Sequence, residues 1–313
     1  MVESPLVWTI GAGGLLGQSV VKASTRRFDG SHVAWIDHGE AMRVLSADLE
    51  RFAAACADGP WSIVWAAGAG TVGTTTSSLH AETKILEAFC TLLRSMLPSG
   101  SGCFVLASSA GGLYAGASNP PYDVDREPEP LSDYGHTKLV QERVVGEVLG
   151  DRVTVLLARF SNLYGPAQKL GKRQGLVSQL AYAAATRQAV SIFVPLETIR
   201  DYIHSDDAAA ALHAHMSAYI GNGPGIKPVI IASGNGTSIA HLIRQATSVT
   251  HRRIPVALGT HHTAQVQARD SRFIPTPIGD GTVVTSRPLP VGIREVFNAM
   301  VFTLAQPHAV ERV

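Results

Sequence analysis

Leu6-Val7-Trp8-Thr9-Ile10 runs directly into Gly11-Ala12-Gly13-Gly14-Leu15-Leu16-Gly17, an apolar segment feeding a glycine turn and then a helical pattern over 15–22. The first five residues read as a buried strand. Glycines at 11, 14 and 17 fit a GxxGxxG turn. Side chains there would block a sharp strand-to-helix turn and hold the backbone away from a pyrophosphate. The helix N-terminus beyond offers free N–H groups and the positive end of its dipole. Glycine also serves ordinary tight turns, so the surrounding pattern has to carry the reading.

That pattern repeats. His32-Val33-Ala34-Trp35-Ile36 reads as a second strand ending at Asp37, and Ser62-Ile63-Val64-Trp65-Ala66 as a third, ending in Ala67-Gly68-Ala69-Gly70. A helix is expected over 81–97, with Ile85, Leu86, Phe89, Leu92, Leu93 and Met96 at core-facing spacings, stopped by Pro98-Ser99-Gly100. Cys103-Phe104-Val105-Leu106-Ala107 makes a fourth strand that ends at Ser108-Ser109. A Pro-rich loop over 119–130 then precedes a helix over 132–149 and a fifth strand over 153–159. Strand–helix alternation of this kind calls for an α/β fold, a doubly wound parallel sheet of Rossmann type with helices on both faces. The expected division is a dinucleotide-binding domain over 1–165 and a smaller, interleaved substrate-binding region over 166–313. A helix near 176–186 opens the second part, an Ala-rich helix over 206–219 packs back on the sheet, and 222–300 forms the cap.

Composition removes several classes of function. The chain has 313 residues with 26 Lys+Arg against 25 Asp+Glu, so a net charge of +1 gives no electrostatic case for nucleic-acid or acidic-membrane partners. With 45% hydrophobic and 16% charged residues, disorder is excluded. The apolar runs fall short of the ~20 residues of a membrane span, and the first residues lack a basic segment followed by a long apolar one. Cys56, Cys90 and Cys103 show no CxxC spacing and read as buried free thiols of a cytoplasmic protein.

Asp37 stands 20 residues beyond Gly17, where an acid would bind the adenosine ribose and repel a 2′-phosphate, which favours NAD over NADP. Capping of a loop is the competing reading. Asp48-Leu49 would border the adenine, or Asp48 would be a solvated loop acid. Tyr134 and Lys138 lie four apart on one helix face. A phenol titrates near 10 and is a poor base at neutral pH, but a neighbouring ammonium favours the phenolate. Position adds to this pair, because it follows a strand ending in Ser108-Ser109 at the carboxyl edge of the sheet.

With these residues in place the chain resembles the extended short-chain dehydrogenase/reductase family, in its NAD-dependent sugar epimerase/dehydratase branch. The resemblance rests on the 11–17 turn, Ala66-Ala67-Gly68, Ser108-Ser109-Ala110-Gly111-Gly112-Leu113-Tyr114, Tyr134 with Lys138, and Arg159-Phe160-Ser161-Asn162-Leu163-Tyr164-Gly165-Pro166. Arg200-Asp201-Tyr202-Ile203-His204-Ser205-Asp206-Asp207 adds a further match. It implies Tyr134 as acid/base, Lys138 as the group that tunes it and holds the ribose, and a hydroxyl on the reacting oxygen. It also implies NAD held by Gly11, Gly14, Leu15, Leu16, Gly17, Asp37, Asp48, Leu49, Ala66, Ala67, Gly68, Ser108, Tyr134 and Lys138. Substrate would meet Ser109, Ala110, Gly111, Tyr134, Asn162 and Arg200. Arg200 would grip a diphosphate, or else form a surface ion pair. Asp206 and Asp207 read as helix caps, and Tyr202 and His204 as packing residues.

The chain departs from the family in two places, and the first also bears on reaction type. Ala110 stands where the hydroxyl is often found, so Ser109 is taken for that role, with Ser108 as the alternative; both could instead be strand-end hydrogen-bonding groups. Ala110-Gly111-Gly112 carries no carboxylate where 4,6-dehydratases show T-D-E, which disfavours loss of water. Asp270-Ser271-Arg272 and Leu289-Pro290-Val291-Gly292-Ile293 resemble the family's ending, but Thr260-His261-His262-Thr263-Ala264 replaces an R-x-x-D that grips diphosphate. The adjacent histidines read as a polar loop, and no metal is expected. The resemblance implies an NAD-dependent epimerase of a sugar nucleotide, expected at C4, working as a homodimer through the helices at 81–97 and 132–149. A dehydrogenase or ketoreductase that exchanges its cofactor, and a non-catalytic dinucleotide-binding regulator, are the alternatives.

Overall fold

A computed structural model describes residues 3–68, 70, 73–168, 175–261 and 266–306. The chain runs β1 (Leu6–Ile10), α1 (Leu15–Ala23), β2 (Arg26–Phe28), α2 (His38–Cys56), β3 (Trp61–Trp65), α3 (Thr76–Ser95), β4 (Gly102–Ser109) and the short α4 (Ala110–Leu113). It continues through α5 (Asp133–Leu149), β5 (Thr154–Phe160), β6 (Asn162–Tyr164), α6 (Leu176–Thr186), β7 (Val190–Ile192), β8 (Ile199–His204) and α7 (Ser205–Tyr219). Then come β9 (Gly225–Ile231), β10 (Gly236–Ser238), α8 (Ile239–Thr250), β11 (Val256–Leu258), β12 (Asp270–Ser271) and α9 (Leu289–Leu304).

The central sheet has six parallel strands in the order β2-β1-β3-β4-β5-β9. Alternate residues of its strands feed two cores. Trp8, Ile63, Phe104 and Val155 meet Leu45, Phe52, Phe89 and Val145 of α2, α3 and α5. Val7, Val64, Val105 and Leu156 meet Val20, Leu212 and Met216 of α1 and α7. Helices on both faces explain why β1, β3 and β5 are buried throughout and read as continuous apolar runs. A separate cluster of Tyr164, Leu180, Leu242 and Ile293 binds α6, α8 and α9 into the smaller layer. Among the described residues no helix is long and apolar enough to cross a membrane.

The sheet corrects three expectations. The second strand is Arg26–Phe28, not 32–36. It is a short edge strand, and its place comes from Phe28, which packs 5.5 Å from Trp8 and 5.3 Å from Phe52 between ring centroids. The carboxylate of buried Asp48 accepts from Ser31 N (2.6 Å) and Ser31 Oγ (2.9 Å), turning the chain away after Gly30. The apolar run 32–36 is left at the surface, with Ile36 fully exposed. Second, β9 inserts into the central sheet from within the stretch assigned to the cap, pairing with β5 along its whole length. Third, the cap of α7 is His204, whose Nδ1 accepts from Asp206 N (3.1 Å). Asp206 bonds Lys22 and Ser19 of α1, and Asp207 bonds Arg287, so the two acids join elements instead of capping one.

Candidate active site

The carboxyl ends of β1, β3 and β4 converge where the connections leave the sheet in opposite directions, the crevice in which such sheets bind ligands. After β1 the chain makes its glycine turn. Gly11 has φ +91°, and a Cβ there would lie 2.5 Å from Ala67 N, so the turn and the β3 loop touch backbone to backbone. A Cβ on Gly17 would lie 2.2 Å from Gly11 O. Gly14 N donates to that same oxygen (3.0 Å), and Gly14 begins α1 without a side-chain cap. The first amides of α1 are thus left for a ligand, and the close-packed glycines make the cradle that a dinucleotide pyrophosphate requires. The residues present fit NAD: Gly11, Gly14 and Gly17 with the amides of Leu15 and Leu16 for the diphosphate, and Ala66, Ala67 and Gly68 beside them.

Three expected cofactor contacts sit differently. Asp37 is exposed and caps α2, accepting from Glu40 N at 3.0 Å, and it does not end a strand. The acid at the carboxyl end of β2 is Asp29, exposed, with its carboxylate 3.6 Å from Arg27 Nε. Asp48 lies within α2 and spends its oxygens on Ser31 and Arg51, while Leu49 is wholly buried in the core. A continuous helix over 38–56 replaces the loop that would have aimed both residues at a ligand.

At the end of β4 the side chains for chemistry meet. Ser132 caps α5, accepting from Gly135 N (3.1 Å), which starts the helix so that Tyr134 falls in its first turn and Lys138 one turn on. The Tyr134 ring lies beside Ser109, whose Oγ accepts from Gly112 N (3.1 Å). A Cβ on Gly112 would sit 3.2 Å from Tyr134 Cε1 and 3.3 Å from Ser109 Oγ, so glycine leaves room for the two side chains to meet. Lys138 is buried, and its Nζ lies 5.9 Å from the centroid of the Tyr134 ring. It donates to Ala107 O (3.2 Å) and Gln141 Oε1 (3.0 Å), and Gln141 Nε2 donates in turn to Thr83 Oγ1 (3.3 Å) of α3. Burial pushes the Tyr134 phenol above its ordinary value, opposed by the Ser109 hydroxyl and reinforced by Glu82. Burial pulls the Lys138 ammonium down, opposed by Glu82 and Glu142.

Behind this pair lies a buried ion pair. Arg159 Nη2 meets Glu142 Oε2 at 2.7 Å, and Arg159 Nη1 donates to the Tyr114 hydroxyl at 2.6 Å, tying α5 to β5 and to the end of α4. On the substrate side, a Cβ at Gly111 would be 3.8 Å from Asn162 Oδ1, which brings Gly111 and Asn162 to the same edge. Ser108 Oγ is buried and makes no hydrogen bond among the described residues. Arg200 is buried, so it forms no surface ion pair: Nη1 donates to Ile199 O (2.9 Å) and Ala268 O (2.8 Å), and Nη2 to Gln267 Oε1 (3.3 Å). His261 lies with its ring 5.5 Å from Phe193, whereas His262 falls outside the described residues. Glu82, Thr83 and Gln141 escape sequence reading. They occupy ordinary polar positions on α3 and α5, and only the packing of those helices brings them to Lys138.

A doubly wound parallel sheet with a glycine turn after its first strand, and Ser109, Tyr134 and Lys138 gathered at its carboxyl edge, places the chain in the class of dinucleotide-binding Rossmann folds. The model of the NAD dependent epimerase/dehydratase family matches residues 8–226, and the chain belongs to that family. Among relatives, the dTDP-L-rhamnose 4-epimerase of Burkholderia thailandensis is 31% identical over 134 residues, 42% of this chain and 36% of that one. UDP-glucose 4-epimerase 4 of Oryza sativa subsp. japonica is 26% identical, over 54% of this chain and 50% of its own. The chain thus spans about a third to a half of the length of these curated relatives. The structure of UDP-glucose 4-epimerase from Bifidobacterium longum in complex with NAD+ and UDP superposes with a TM-score of 0.77 at 16% identity, covering 97% of this chain and 99% of that one. At that identity the likeness is one of fold.

Proposed function

We propose that this protein is an NAD-dependent epimerase that inverts the C4 carbinol of a sugar nucleotide through a transient ketone. The convergence of Ser109, Tyr134 and Lys138 at the carboxyl edge of β4 carries the reading. Bound NAD supplies a hydride acceptor that can return the hydride to the same carbon. Tyr134 takes the proton of the C4 hydroxyl at its phenolic oxygen and later gives it back. The Ser109 hydroxyl, beside Tyr134, holds the reacting oxygen in line. Lys138, anchored by Ala107 O and Gln141, keeps a positive charge beside the phenol and lowers the cost of forming phenolate. Asn162 would orient the sugar, and Arg200 would turn its remaining donors to the diphosphate. Asp29, at the carboxyl end of β2, would hold the adenosine ribose in the part assigned to Asp37 by sequence, and would select NAD against a 2′-phosphate.

The test is direct. Nucleotide released from denatured protein is identified, and native protein is then incubated with a panel of nucleotide sugars while reduced nicotinamide absorbance is followed. Epimerised sugar without net cofactor change is the expected result. Stoichiometric cofactor turnover would instead establish a dehydrogenase or reductase, and the absence of any reaction a regulator.

A further inference from the structure

α3 delivers more than a packing surface to the site. Thr83 reaches Gln141 and through it Lys138, while Glu82, one residue earlier, turns toward the loop after β3. A Cβ added to Gly70 would lie 3.4 Å from Glu82 Oε2 and 3.5 Å from Tyr134 Cδ2, so a single methyl group would touch both side chains. A Cβ on Gly68 would lie 3.6 Å from the same carboxylate oxygen. Glu82 therefore stands at the loop in front of Tyr134. The other acid near the pair, Glu142, faces Arg159 of β5, which holds it with two nitrogens at 3.3 Å or less. Ser109 and Gly112, on the β4 side, bring no charge.

We propose that Glu82 is an electrostatic positioning residue for the Tyr134–Lys138 pair, its carboxylate at the loop in front of Tyr134 setting the pH window over which the pair works. This rests on the epimerase reading of the same site. The signs are those expected of a nearby carboxylate: it raises both the phenol and the ammonium from wherever burial leaves them. Removing the charge moves both groups the same way. The phenolate forms at lower pH, and the ammonium is also lost at lower pH, so the working window slides downward without narrowing.

The experiment compares Glu82→Gln, Glu82→Ala and Glu82→Asp with the wild type. In the pH profile of kcat/KM for sugar epimerisation, both limbs of the two neutral variants are expected about 0.5 to 1 pH unit lower, up to about tenfold in rate at fixed pH on either limb. Glu82→Asp, which keeps the charge, is expected to stay close to the wild type. A rate loss uniform with pH, or profiles that coincide, would overturn the proposal. An independent readout needs no turnover: in protein labelled at the tyrosine Cζ with 13C, the Tyr134 resonance is assigned by Tyr134→Phe. At one alkaline pH its phenolate fraction is expected to be larger in Glu82→Gln than in the wild type. An equal or smaller fraction refutes the role of Glu82 even if epimerisation is confirmed, and inactivity of the wild type on every sugar refutes the epimerase reading alone.

Discussion

Alanine at three glycines of one turn should have three different outcomes. At Gly17 the new Cβ would lie 2.2 Å from Gly11 O, where 3.0 Å is the shortest separation such atoms tolerate. The obstacle is backbone, and Gly11 O is already the acceptor for Gly14 N, so α1 must back away from the turn. Helix propensity returns up to about 1 kcal/mol, against about 1–3 kcal/mol for forced overpacking, leaving a net destabilisation of up to about 2 kcal/mol. NAD binding should suffer more, because the moved amides are the ones proposed to hold the diphosphate: about 100-fold in Kd, or ~2.7 kcal/mol. Gly11→Ala adds a left-handed φ, at about 1–2 kcal/mol, to a 2.5 Å approach to Ala67 N. Gly13→Ala meets nothing within 4 Å and should leave stability within about 0.5 kcal/mol and affinity within about threefold. Calorimetric titration of NAD with urea melts of each variant makes the comparison. Wild-type affinity in Gly17→Ala, or equal weakening by Gly13→Ala, would show that the turn does not cradle the cofactor.

Tyr134→Phe should lower kcat by about 10²–10⁴-fold while NAD remains bound, measured by turnover and by nucleotide release; an intact rate removes Tyr134 from the mechanism. Arg159→Met leaves Glu142 buried without its partner and should cost about 3–5 kcal/mol in denaturant unfolding. His204, His213 and His215 are each held below the ordinary imidazole range, chiefly by burial. The unfolded chain takes up protons near its ordinary imidazole value that the folded chain does not, so stability should fall as pH drops through about 6.5. Melting temperature between pH 7 and pH 5 should show the fall, and His215→Phe should flatten it. Burial raises Cys56 to about 11 and Cys103 to about 12, and Cys90 upward too, so thiol reagents should modify none of them until the protein unfolds.

Reading the chain as a sequence works best where a local rule and a tertiary need coincide. β1 is found over the five residues expected, α6 over 176–186 as expected, and α5 begins at the serine that opens its pattern. Continuous apolar runs mark strands covered on both faces, and glycine marks backbone that must touch backbone. Neither signal exists for β2. An edge strand with an exposed Arg27 looks less like a strand than the apolar run that follows it, and the difference is made by Phe28 packing on Trp8 and Phe52 and by Asp48 seizing Ser31. The role expected of Asp37 went with that misplaced strand.

The same division holds in the site. Chain order and spacing are enough to pair Tyr134 with Lys138 and to set the glycine turn before a helix, because each depends on neighbours within one or two turns. Which hydroxyl meets the phenol is different: Ser108 and Ser109 are adjacent, and strand alternation and the bend into α4 bring Ser109 to Tyr134. Arg200 proves to be buried among backbone carbonyls, and Glu82 reaches the site from a helix more than fifty residues before Lys138. Such contacts join residues far apart in the chain, so no local pattern encodes them; they follow from how α3 and α5 pack together and how β8 pairs with its neighbours.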